Sequence, residues 1–559
     1  MRLKFTISMI RSCSYRLAGI VLFQLFLFTA NAQRDTLKKP QAVEIISAYK
    51  PILRSVVKIN LSGTALPADT NRAVRAYQLP SQQLFYAYQA VPLKPMALEN
   101  DTTIYLGQRN YAKLGIGNLQ TLYAEAGVGF GDGRNRLLNI IGSFRNSKGK
   151  IRFQDYSEFS IKANGSYFLP GKEVYGSMGF QQRQQFFYGY NQGQFDFTKD
   201  QLRQQFQSIN IKAGIRNTEP NELGIDYDPT IQVKLFANKD RNSESSLLFD
   251  LPVTKKWDEH INAGLHFRAD LTNYASKELL PEDISFSNNV VLLTPKVGYQ
   301  KNSLNLTIGA TASWDNSDFA FLPNIYGEWQ LVENKFSIIG GWVGVINKNT
   351  MQNLTAINPF LSTLRSQTNT RETEFYGGVK AQIGNHFQFN AKAGFLTYRK
   401  YQFFVNDYRA GAEGKSFILS DESTMNNFRI KADMSYVNKE HFTINAGITL
   451  NGFTGVTDNE KAWHTVPMEI NASLRWWILK PLLLKADCYI FGGGNYLDVG
   501  NISRSFNGAA DFSLGAEYKI NRRSSAFLDI NNIFAQNYQR WHNYPVYGIN
   551  FLAGLVLQF

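Results

Sequence analysis

The sequence predicts an all-β chain: a transmembrane antiparallel β-barrel of about 22 strands behind a proline-rich N-terminal extension. Two-residue alternation recurs from about Tyr111 onward, and short turns alternate with longer loops along that stretch. The chain also ends on an alternating strand whose last residue is Phe559. Mean hydropathy is only −0.27, although aromatic residues make up 14% of the chain. That balance suits a barrel, in which half of each strand faces water. Beyond the N-terminus no apolar run approaches the roughly 20 residues that a spanning helix needs.

Met1 to Ala32 reads as a secretory signal. Arg2, Lys4, Arg11 and Arg16 form its basic start, Leu17 to Phe28 its apolar centre, and Ala30-Asn31-Ala32 a small-x-small cleavage pattern. The residue directly after that point is Gln33 and not cysteine, which argues against a lipoprotein. Cleavage removes these four cations and no acid, lowering the formal charge from +14 to +10. It also removes Cys13 and leaves Cys488 alone, so no internal disulfide is available and closed-sheet hydrogen bonding must hold the fold.

Residues 33–108 hold six of the 17 prolines and little sustained alternation. Proline removes ladder donors, so this stretch is expected as a periplasmic or lumen-lining segment. Residues 109–559 are expected to form the barrel. Phe387, Phe389, Ala391, Ala393 and Phe395 interleave with polar or small residues, as do Phe428 to Tyr436, Phe442 to Leu450 and Ala510 to Ile520. Such runs match the roughly 9–11 residues with which a tilted strand crosses a bilayer. Short turns are expected at Asp132-Gly133-Arg134, Pro170-Gly171-Lys172, Lys301-Asn302, Glu333-Asn334, Gly384-Asn385, Asn438-Lys439, Lys480-Pro481 and Arg522-Arg523. Longer loops are expected around 191–203, 273–288, 355–371, 405–425, 454–466, 494–505 and 535–546. Short turns inside and long loops outside are the asymmetry of an outer-membrane barrel. In the closing strand, Tyr547, Ile549, Phe551, Ala553, Leu555, Leu557 and Phe559 should share the lipid face.

The final hairpin, Phe527 to Phe534 and then Asn543-Tyr544-Pro545-Val546-Tyr547-Gly548 before the closing strand, resembles the last two strands of TonB-dependent receptors. Tyr111 to Asn118 and Phe187-Tyr188-Gly189-Tyr190 resemble a group of such barrels common in Bacteroidetes. The resemblance covers roughly 110–559 and implies solute uptake or capture at the cell outer membrane. The chain departs from that family in lacking room for a full plug domain. Val43, Glu44, Ile45 and Ile46 resemble a TonB-contact segment, and residues 33–108 with some outer loops are expected to occlude the lumen.

Alternation places Lys212, Lys380, Lys392, Arg429, Lys431, Lys485 and Lys519 on the lumen face. Such cations bias a pore toward anions unless acids such as Glu374, Asp433, Asp487, Asp511 and Glu517 neutralise them. The basic charge also suits outer-membrane lipid and lipopolysaccharide, whereas nucleic acid is not expected to meet an exported barrel. The aromatic loops Phe186 to Phe197 and Tyr538 to Tyr547 are candidates for a carbohydrate- or peptide-binding rim. No catalytic, metal or cofactor motif is found. His464, near Asp458, Glu460 and Thr465, is the single cluster with any catalytic potential, and no enzyme is expected. The competing class is a non-transporting barrel subunit, a scaffold for an outer-membrane assembly with residues 33–108 as its periplasmic or outer-membrane protein contact.

Overall fold

The computed structural model describes residues 110–559, apart from 132–134, 220, 278–282, 334, 385 and 439–440. The signal segment 1–32, the segment 33–108 with Val43 to Ile46, and the turn Asp132-Gly133-Arg134 lie outside the described residues, as do Asn334, Asn385 and Lys439.

Twenty-two antiparallel strands form one closed barrel, each paired with its neighbour in sequence. Closure is made by Tyr111–Gly117 against Asn550–Gln558, in register from Tyr111 opposite Gln558 to Gly117 opposite Leu552. Closure satisfies the backbone donors and acceptors of both end strands, which lipid could not do. The short strand Ile225–Tyr227 pairs with the lower end of Asn242–Lys256, below Thr230–Asn238, so it extends that stave past Asp228-Pro229.

Alternation sets the two faces. In the closing strand Phe551, Leu555, Leu557 and Phe559 are exposed outward, while Leu552 is buried with Tyr123 and Phe527. Phe375 and Phe395, directly opposite each other, are both more than 60% exposed on the same outer face. An exposed band this apolar is stable only against hydrocarbon. Tyr547 departs from the expected face: it is buried in the outer core cluster, because the chain turns inward before the strand begins at Asn550.

The staves differ in height. The seam strand Tyr111–Gly117 has 7 residues, whereas Phe387–Asn406 has 20 and Phe417–Asn438 has 22. These tall strands take over most of the loop expected at 405–425, leaving only 407–416 as connection, and strand likewise covers much of 273–288. The cause is long-range pairing: Tyr401 to Asn406 hydrogen-bond to Phe417 to Glu422, a ladder without simple alternation. Loops 494–505 and 535–546 contain small hairpins, Asn495–Asp498 with Ile502–Ser505 and Gln539–Trp541 with Tyr544–Pro545.

Candidate functional site: an outer cap above a charged lumen

At the end opposite Asn110 and Phe559, connections 187–202, 348–369, 407–416 and 532–549 fold over the mouth and pack on one another. The centre of the longest, 348–369, is the helix Met351–Ile357, started by Thr350, whose hydroxyl accepts from the Asn353 N–H. The Glu244 carboxylate accepts from the Met351 N–H at 2.6 Å and the Gln352 N–H at 3.3 Å. Arg183 donates to the Thr355 carbonyl in the last turn at 3.0 Å. An anion at the first turn and a cation at the last both complement the helix dipole. Further ties hold the loop to the wall. Lys348 bonds the Asp270 carboxylate and, at 2.7 Å, the Thr272 hydroxyl. Gln185 donates to the Pro359 carbonyl at 2.7 Å, and Asn369 donates to Asp315 at 2.6 Å. Burial lowers the Lys348 pKa, opposed by Asp270.

Above these ties the Phe360 ring stacks on Tyr544 with centroids 3.5 Å apart, and Tyr188 meets Tyr544 edge-on at 4.9 Å. Trp541 packs edge-on against Phe404 at 5.2 Å and Phe417 at 5.5 Å. The two aromatic loops therefore do not display a rim of rings to solvent. Phe186, Phe187, Tyr188, Tyr190, Tyr538, Trp541, Tyr544 and Tyr547 are buried. Rings of this size gain more by burying against each other than by standing in water.

His464 belongs to the same cap and is not part of a catalytic pair. Its Nδ1 lies 2.8 Å from the Phe404 carbonyl, and its Nε2 accepts from the His542 N–H at 3.4 Å. Both nitrogens are thus used by backbone, as a neutral ring with Nδ1 protonated requires. Burial, with Arg540 and His542 beside it, pushes the His464 pKa down to about 3, and burial takes His542 to about 4. Asp458 instead accepts from the Ser423 N–H at 2.7 Å. Glu422, fully buried, gathers the Thr457 and Asn459 N–H groups at 2.7 and 3.1 Å and so fixes that loop. The buried Arg540 donates to the His464 carbonyl at 2.9 Å and lies over the Trp541 ring.

Below the cap, the cations marked by alternation have these surroundings. Lys392 pairs with Glu374 at 2.9 Å, and Arg429 reaches Glu374 at 3.0 Å and Glu372 at 3.4 Å. Lys380 pairs with Glu328 at 2.7 Å, Lys431 with Asp433 at 3.4 Å and Lys485 with Glu517 at 3.6 Å. Lys519 sits 4.0 Å over the Trp477 ring. Lys212 lies 5.9 Å from the Tyr175 ring, within electrostatic reach of Asp250, and forms no ion pair among the described residues. Asp487 pairs with Arg475 and Asp511 accepts from the Tyr538 hydroxyl. Sequence reasoning missed Glu244, Arg183, Lys348 and Asp270, whose partners lie 76 to 172 residues away. For Glu244, Arg183 and Asp270, inward parity was the available signal.

A closed barrel with an apolar exterior, a polar interior and its loops gathered at one end is an outer-membrane β-barrel, with a TonB-dependent receptor-like fold. No protein-family model and no curated protein matches the chain. Solved structures do. The FrpB iron transporter from Neisseria meningitidis superposes with a TM-score of 0.62 at 12% identity, over 82% of this chain and 82% of that one. The ferripyoverdine receptor of the outer membrane of Pseudomonas aeruginosa gives 0.61 at 10% identity, over 81% and 72%. The ferric enterobactin receptor from the same organism gives 0.60 at 11%, over 81% and 81%. At such identities the likeness is one of fold.

Proposed function

We propose that the chain takes up or captures a solute at the outer membrane, through a lumen whose outer mouth is shut by its own loops. The observation that carries this is the Tyr188, Phe360 and Tyr544 cluster, which joins three distant loops over the mouth. A barrel of about 22 strands is wide enough to pass solutes unless something fills it. The similar structures, an iron transporter among them, support uptake as the class of activity. Val43, Glu44, Ile45 and Ile46 are the proposed TonB contact, with residues 33–108 standing where a full plug would be. The exposed belt faces outer-membrane lipid, with lipopolysaccharide the proposed outer-leaflet partner.

Planar-bilayer conductance tests the closure: the native protein is expected to stay shut, and the double variant Phe360→Ala/Tyr544→Ala to open repeatedly. Large, permanently open native channels would contradict it. Deleting residues 33–60 separates uptake from the scaffold reading. Lost uptake in a folded barrel supports transport; loss of a co-purifying protein partner, with no uptake before or after, supports a scaffold.

A further inference from the structure

Five cations line one arc of the inner wall: Lys162, Lys212, Lys234, Arg268 and Lys296, on strands Asp155–Leu169, Arg203–Asn217, Thr230–Asn238, Ile261–Ser276 and Ile284–Lys301. Their inward direction follows from residues of the opposite parity on the lipid face: Ile161, Ile211, Val233, Leu265, Leu271 and Val297 are all exposed there. Register sets Lys212 and Lys234 two residues apart on adjacent strands, and Arg268 and Lys296 four residues apart on a further adjacent pair. Lys212 lies opposite Ser177 and Gln232, Lys234 opposite Asn210 and Ser246, Arg268 opposite Asp250 and Leu292. Lys296 lies between Gly264 and Gly309, where a Cβ would come within 2.8 and 2.9 Å of its side chain. Those glycines let its stem lie flat along the wall.

Among the described residues none of the five forms an ion pair. Of the acids in this arc, Glu173 is held by Arg216 at 2.6 Å, Asp270 by Lys348 and Glu244 by the cap helix, while Asp250, 2.8 Å from His266, is also within electrostatic reach of Arg268 and Lys212. Like charges set close together on a sheet repel, and a low-dielectric wall strengthens their joint field. Residues 33–108, the segment expected in the lumen, contain nine basic and five acidic side chains, a net +4, and so bring no net negative charge.

We infer that this strip binds a multiply charged oxyanion solute, with neighbouring Ser177, Asn210, Gln232 and Ser246 supplying neutral hydrogen bonds. The inference rests on the uptake reading only for how the anion arrives. The test is calorimetric titration of the full-length protein in neutral detergent with tripolyphosphate, at low and high salt. The native protein should bind, more weakly as salt rises. Lys212→Met/Lys234→Met/Arg268→Met should lose at least tenfold in affinity, while an equal charge loss on exposed turns, Lys150→Met/Lys461→Met/Arg522→Met, should retain it. A heat-shifted electrophoretic band checks that each variant is folded. If the strip variant misfolds, spermidine-insensitive protection of Lys212 and Lys234 from acylating reagent by tripolyphosphate, in the native protein, replaces it. Absent native binding, or equal loss in the turn variant, overturns the inference. Binding without any uptake in cells would instead overturn the uptake reading and leave the strip standing.

Discussion

On the arc of the inner wall from Asp318–Val332 to Ala509–Lys519, acids and cations are matched within the wall: Glu328 with Lys380, Glu374 with Lys392 and Arg429, Asp487 with Arg475. On the arc from Asp155–Leu169 to Ile284–Lys301, two acids leave the wall to hold the cap, Glu244 at the helix start and Asp270 at Lys348. Five wall cations there form no ion pair among the described residues, with Asp250 shared between Arg268, Lys212 and His266. The difference teaches that fastening a lid and charging a lumen draw on the same carboxylates. The matched arc is a structural element, and the other arc is where the interior is free to meet an ion.

The comparison breaks most sharply at Arg429. Arg429→Met strands the buried Glu372 and leaves Glu374 with Lys392 alone, and should cost about 3–5 kcal/mol in urea unfolding from detergent. Glu244→Gln should cost about 1.5–3 kcal/mol, confined to the cap, because charged hydrogen bonds to two helical N–H groups are lost. Limited proteolysis within 348–369 would show it while the barrel band stays unchanged. A third measurement is pH. His464 and His542 have folded pKa values of about 3 and about 4, against 6.5 for the free side chain, so the unfolded cap binds their protons more readily. Cap stability should be flat above about pH 6.5 and fall as pH drops toward 4, by up to about 2 kcal/mol per histidine at pH 5. His464→Asn should flatten that profile in the same proteolysis assay. The smallest effect belongs to the unmatched arc. Lys234→Met should change unfolding stability by no more than about 0.5 kcal/mol, in sharp contrast to Arg429.

Much of the barrel was legible because period-two alternation is a local signal. Phe387 to Phe395 and Phe428 to Tyr436 declare an outer face without any knowledge of their neighbours. The tall strands around 405–425 were not legible, since Phe403 to Asn406 are buried whichever way they point. The cap was half legible. Its aromatic loops stood out, but that Phe360 would stack on Tyr544 depends on closing a circle of the whole chain. For the lumen, parity marked Lys212 and Lys392 alike, yet only the folded wall shows that Lys392 reaches Glu374 while Lys212 forms no ion pair among the described residues. Single-sequence reading supplies direction, not company.

Tyr188, Phe360 and Tyr544 come from the early, middle and late parts of the chain. The cluster is incomplete until the last hairpin has been inserted. Protease resistance of the outer loops should therefore appear only at the end of biogenesis, later than membrane integration of the first strands. The lid doubles as a seal of completion that an assembly intermediate cannot counterfeit.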